Sequence, residues 1–137
     1  MALNVRGLTP LVQVYDMPTS VRFYRDLLGF EVVSTSPVLG QDRFHWALLR
    51  LGEAELMLNT AYERDEDRPP VPDAARVGAH DDTGLYIACL DVDAAYAEFR
   101  SRGVTVEKPK VAAYGMKQVY LHDPDGYSLC FQWPTNP

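Results

Sequence analysis

Cysteine is scarce in this 137-residue chain: Cys89 and Cys130, far apart, each sit inside an apolar, strand-like run. Two thiols so placed do not make a disulfide framework, and they are expected as buried thiols of a reducing cytoplasm. Basic residues are also short, 13 Lys and Arg against 19 Asp and Glu, for a net charge of −6. Phosphate binding needs clustered cations, so nucleic acid is not expected as a partner, and the acidic balance favours a neutral or cationic ligand. No apolar run is long enough to cross a bilayer, and residues 1–9 lack the apolar centre of a signal peptide. There is no phosphate-cradling glycine loop, and the spacing suggests no Ser-His-Asp or Cys-His arrangement. What is plentiful is apolar: the chain is 47% hydrophobic, with eight Tyr, five Phe and two Trp. That suffices for one well-buried core or two small units sharing an interface.

Two such units are legible. Leu8–Tyr15 alternates as a strand, and Asp16 stands before Met17-Pro18-Thr19-Ser20, a helix start that tolerates proline. Val21, Tyr24 and Leu28 recur at helical spacing, and Gly29 offers the C-cap. Strands are predicted at Phe30–Ser34, Phe44–Leu51 and Glu55–Asn59. The order βαβββ then returns. Leu85–Leu90 is extended, Asp91 caps a helix carrying Val92, Ala95, Tyr96 and Phe99, and Gly103 ends it. Val104-Thr105-Val106 takes the place of Phe30-Glu31-Val32. Lys117–His122 and Tyr127–Trp133 are strands joined by Asp123-Pro124-Asp125-Gly126, a strong turn signal. The expected organisation is a first module over 1–59, a polar, Pro-rich linker over 60–83 and a second module over 84–137. The linker is expected to be solvated, with a flap over a ligand site as its other possible role.

Three stretches carry a family resemblance: Asp16 with Phe23-Tyr24-Arg25-Asp26-Leu27-Leu28-Gly29-Phe30, then Asp91-Val92-Asp93-Ala94-Ala95-Tyr96, then Asp123-Pro124-Asp125-Gly126-Tyr127. They resemble the vicinal-oxygen-chelate superfamily of glyoxalases, bleomycin-resistance proteins, fosfomycin-modifying enzymes and extradiol dioxygenases. Tyr114-Gly115-Met116 looks like the glyoxalase or bleomycin-resistance subgroup. The resemblance implies an α+β fold: paired βαβββ modules make an open, curved mixed sheet, with helices on the convex side and a ligand cup on the other. Strand alternation then places Thr9, Gln13, Glu55, Asn59, Tyr86, Cys130 and Gln132 in the cup. His45, Trp46, Tyr114, Met116 and Tyr120 complete the expected ligand-binding set.

Enzymes of the superfamily hold a divalent ion among four positions, which fall here on Thr9, Glu55, Gly84 and Cys130. One hard ligand in four does not hold a metal, so no cofactor is expected. Glu55 is the best acid or base candidate, its alternative being a carboxylate hydrogen-bonded to neighbouring strands. His80 and His122 are expected at the surface. Two functions follow. One is a homodimeric, cytoplasmic, metal-independent protein that sequesters an antibiotic or similar planar molecule, with clefts at the subunit interface and a linker permitting exchange of halves. The other is a metal-dependent lyase or isomerase of glyoxalase type, or an extradiol-type dioxygenase, using Glu55 with Gln13, His45 or Gln132 after a register shift.

Overall fold

Along Leu11–Val14, valines that bury alternate with residues that do not, and this segment is strand β1 of a computed structural model describing residues 2–135. Residues 1, 136 and 137, at the outer ends of the expected modules, lie outside the described residues. Asp16 caps the next element, accepting from the Thr19 N–H at 3.2 Å and the Thr19 hydroxyl at 2.5 Å. Helix α1 (Met17–Val21) continues as a π-helical stretch, Arg22–Leu27. Its wider turn shows in the bond from the Leu28 N–H to the Phe23 carbonyl, five residues back. Strands β2 (Glu31–Thr35), β3 (Trp46–Leu51) and β4 (Ala54–Thr60) complete a sheet in the order β1-β4-β3-β2. β1 runs parallel to β4, and the other pairs are antiparallel.

The stretch over 60–83 is solvated, with no residue of it buried, but it is not free. It contains helix α2 (Ala74–Ala79) and short 3₁₀ turns at Asp65–Asp67 and His80–Asp82. Arg76 donates to the Asp125 carboxylate at 2.8 Å and to the Gln13 carbonyl at 2.7 Å. His80 is not a free surface residue either: its Nδ1 lies 2.7 Å from the Asp125 carbonyl, and its ring stacks on Tyr127 with centroids 4.0 Å apart. The Tyr15 hydroxyl holds the other end, donating to the Pro69 carbonyl at 2.6 Å.

The second unit repeats the first: β5 (Gly84–Ala88), α3 (Val92–Ser101), β6 (Lys110–Val111), β7 (Met116–His122) and β8 (Ser128–Pro134), ordered β5-β8-β7-β6. Asp91 caps α3 through the Ala94 N–H at 2.9 Å. One expected strand is absent from the ladder. Val104 and Val106 pack on the core instead, and β6 begins after Pro109, which has no N–H to give. The architecture is α+β, two βαβββ units in two four-stranded mixed sheets. Among the described residues no helix is long and apolar enough to cross a membrane.

The helix-side faces of both sheets share one core. Val12, Val14, Leu49 and Leu58 meet Val119, Leu129 and Phe131, with Val21 and Tyr24 from the first helical segment and Val92 and Phe99 from α3. The opposite faces, expected to close together into one cup, stay exposed within the single chain: Leu11 is 45% exposed and Tyr86 55%. The turn after β7 joins the halves. Asp123 accepts from the Tyr24 hydroxyl at 2.6 Å and from the Asp125 and Tyr127 N–H groups at 2.9 Å each. Asp125, 1% exposed, accepts from the Tyr15 N–H at 2.8 Å and the Ser20 hydroxyl at 3.3 Å as well as from Arg76. Gly126, at φ 87°, closes the turn with Val77 so near that a Cβ there would strike the Val77 carbonyl.

Burial pushes the Asp123 carboxyl up to about 6, outweighing the Tyr24 and backbone hydrogen bonds that favour its charge. A carboxyl whose folded pKa exceeds its unfolded value is penalised in the fold when ionised. Its share of stability therefore rises as pH falls through 6 towards the unfolded value near 4. Comparing Asp123→Asn with the natural chain by urea unfolding at pH 7.5 and 5 isolates this group. The natural chain should gain about 1 kcal/mol on the variant at the lower pH, and a pH-independent difference would contradict the assignment. Gly126→Ala should cost about 2 kcal/mol or more through strain and the clash with Val77, read as a fall in urea midpoint.

Candidate functional site

Register decides which side chains share a surface. On the outward face of the second sheet, Tyr86, Cys130 and Tyr120 form one row across β5, β8 and β7, and Ala88, Gln132 and Gln118 form the next. Gln118 is nearly buried, at 7% exposed, and lies at the centre of a hydrogen-bonded network. Its Nε2 donates to the Tyr114 hydroxyl and to Gln132 Oε1, both at 2.8 Å, and its Oε1 accepts from the Tyr120 hydroxyl at 3.4 Å. The Tyr86 hydroxyl lies 3.1 Å from that of Tyr120, with the rings edge to face. Tyr114 reaches the network from the turn before β7, and Met116 begins that strand. Sequence reasoning named Tyr86, Tyr114, Tyr120 and Gln132 but missed Gln118, although strand alternation from Tyr120 was enough to find it.

Two cavities border this face. One, of about 340 Å³, lies at the seam between the halves and is lined by Leu8, Pro10, Glu55, Gly84 and Tyr86 among others. The other, of about 670 Å³, lies between β7 and the segment before β6, and Gln118, Tyr120, Lys108 and Lys110 contribute to its lining. The Tyr86–Tyr120 pair connects them. Both volumes suit a small organic molecule.

On the first sheet the outward row is Gln13, Asn59 and Trp46, with Asn59 Nδ2 donating to Gln13 Oε1 at 3.5 Å. No side-chain hydrogen bond joins this row to the tyrosine–glutamine network among the described residues. His45 precedes β3 and is exposed. It borders a pocket with Met17, Arg43 and Asp65, away from the outward rows. His122, at the exposed end of β7, pairs with Asp81 at 2.7 Å.

The four positions where the fold would place a metal do not fit one. Thr9 precedes β1 and offers a hydroxyl, while Gly84 offers no side chain. Glu55 is engaged by Arg50 of the neighbouring strand at 2.8 Å. Cys130 is 1% exposed, and burial pushes its thiol up, away from the thiolate that ligates. Among the described residues no three His, Cys, Asp or Glu side chains gather where they could hold an ion. Glu55 meets Arg50 as a strand-to-strand ion pair, the structural alternative to an acid or base role.

Comparison with known proteins agrees with this architecture. The chain resembles TnmS3, an antibiotic binding protein from Streptomyces sp. CB03234, at 24% identity, covering 98% of this chain and all of that one, with a TM-score of 0.69. A glyoxalase/bleomycin resistance protein from the same strain is 25% identical, with 91% and 97% coverage and a TM-score of 0.62. A bleomycin resistance determinant encoded on transposon Tn5 shares 19% identity, with 96% and 99% coverage and a TM-score of 0.67. A search of curated proteins finds no match. The family model for the glyoxalase/bleomycin resistance protein/dioxygenase superfamily matches residues 8–131, and the chain belongs to that superfamily.

Proposed function

We propose that this protein binds a small planar aromatic molecule, of the kind represented by antibiotics, without a divalent metal. The observation that carries this reading is the outward face of the second sheet, where Tyr114 and Tyr120 bond to Gln118, Tyr86 meets Tyr120, and Gln118 and Tyr120 line a cavity of about 670 Å³. Exposed rings on a fixed polar base supply stacking area and a few directed hydrogen bonds, the usual composition of a small-molecule site. The likeness to TnmS3, an antibiotic binding protein, supports the same ligand class. The side chains at the superfamily's metal positions support binding rather than metal-assisted lyase, isomerase or dioxygenase chemistry.

A homodimer completes the cleft in this reading. Each chain leaves apolar or aromatic side chains of both outward faces open to solvent, Leu11 on one sheet and Tyr86 and Tyr120 on the other. A second copy laid across them would turn two open faces into enclosed clefts and put Trp46 opposite the tyrosines. The free thiols of Cys89 and Cys130 support a reducing, cytoplasmic setting.

Calorimetric titration of EDTA-treated protein with a panel of planar aromatic antibiotics should give saturable binding, about one ligand per chain, unchanged by added nickel, zinc or manganese. Absence of binding across the panel, or binding only after a metal is restored, would overturn the reading. Sedimentation equilibrium should return twice the chain mass, and a monomer at micromolar concentration would remove the dimer from it.

A further inference from the structure

The cavity beside β7 has a charge opposite to that of the protein around it. The chain carries −6 overall, so composition alone points to a neutral or cationic ligand. The cavity lining contains Lys108 and Lys110 against a single carboxylate, Glu107. Glu107 is paired with Lys110 at 3.2 Å, and among the described residues Lys108 has no carboxylate within 4.0 Å. The remaining titratable groups there are Tyr120 and His122, and His122 faces Asp81. Within the lining itself, two lysines against one glutamate leave one positive charge in excess, on Lys108.

The neutral groups beside it have hydrogens to spare. Tyr86, Tyr120, Gln118, Tyr114 and Gln132 together carry seven polar hydrogens. Four hydrogen bonds join them, so three hydrogens remain for something else, whichever way each amide is turned. In the arrangement observed, Gln118 spends both of its hydrogens inside the network. The surplus then lies on the Tyr114 hydroxyl and on Gln132 Nε2, which flank it. The same hydroxyls and amide oxygens also keep acceptor lone pairs, so the network can serve either sign, and it is the unpaired Lys108 ammonium that favours a ligand oxygen carrying negative charge.

We infer that the cavity lined by Lys108, Lys110, Gln118 and Tyr120 selects planar aromatic ligands bearing an anionic oxygen, a carboxylate or an acidic phenol. This rests on the aromatic-binding reading above and adds the sign of charge to it. The ring lies against Tyr120, and its oxygen faces Lys108 beside Gln118.

Two probes with the same ring and opposite charge test the inference: 2-naphthoate and 2-naphthylmethylammonium, titrated calorimetrically into the full chain at pH 7.5 and low salt. The carboxylate should bind at least about tenfold tighter. Lys108→Glu combined with Lys110→Glu, both exposed positions, should reverse or abolish that preference. Equal or tighter binding of the ammonium overturns the inference. So does a preference that survives the double lysine variant. Binding of neither probe overturns it as well, and the antibiotic panel then tells whether aromatic binding itself stands.

Discussion

A two-carboxylate turn plugged into the other half of the chain is the constraint on which the rest of this structure depends. Asp123 and Asp125 occupy almost solvent-free positions, and each must find donors there or leave a buried charge unsatisfied. The donors come from the residue after the first strand, the first helical segment and α2, through the Tyr15 N–H, Ser20, Tyr24 and Arg76. Among the described residues no buried side-chain polar atom is left without a partner. One turn thus sets how the halves meet, and it draws the connecting stretch onto the body of the protein.

That joint also decides which surfaces are available for binding. With the helix-side faces sharing a core, the outward faces receive the residues that the apolar interior has no use for. On the first sheet these include an Arg50–Glu55 ion pair and an amide row of Gln13 and Asn59. On the second they form a tyrosine–glutamine network. At two of the positions where the resemblance would place a metal, Glu55 holds a salt bridge with Arg50 and Cys130 is buried.

Local signals made much of this legible in the sequence. Alternation at Val12 and Val14, the caps at Asp16 and Asp91, and the turn at Asp123–Gly126 each depend on neighbours a few residues away, and each is where the pattern placed it. What escaped depends on distant partners. Nothing around Arg76 announces a contact 49 residues on, and a charged, Pro-rich stretch reads as solvent-facing until its acceptor is known. The π-helical stretch was hidden because apolar spacing alone does not distinguish a slightly widened turn. His45 was expected in the cup because Phe44–Leu51 read as one strand, whereas β3 begins at Trp46. Gln118 was overlooked for another reason: a polar residue between Lys117 and Val119 draws no notice until its neighbours across the sheet are placed.

The separation of the shared core from the outward faces has an evolutionary consequence. Residues that keep the chain folded and residues of the proposed binding face project from opposite sides of the same strands, so substitutions on one side leave the other largely undisturbed. Such a scaffold can explore new ligands by exchanging a handful of strand residues at little risk to its own stability. Diversification would therefore be expected to run fastest at positions such as 86, 114 and 120, and slowest in the four residues of the joining turn.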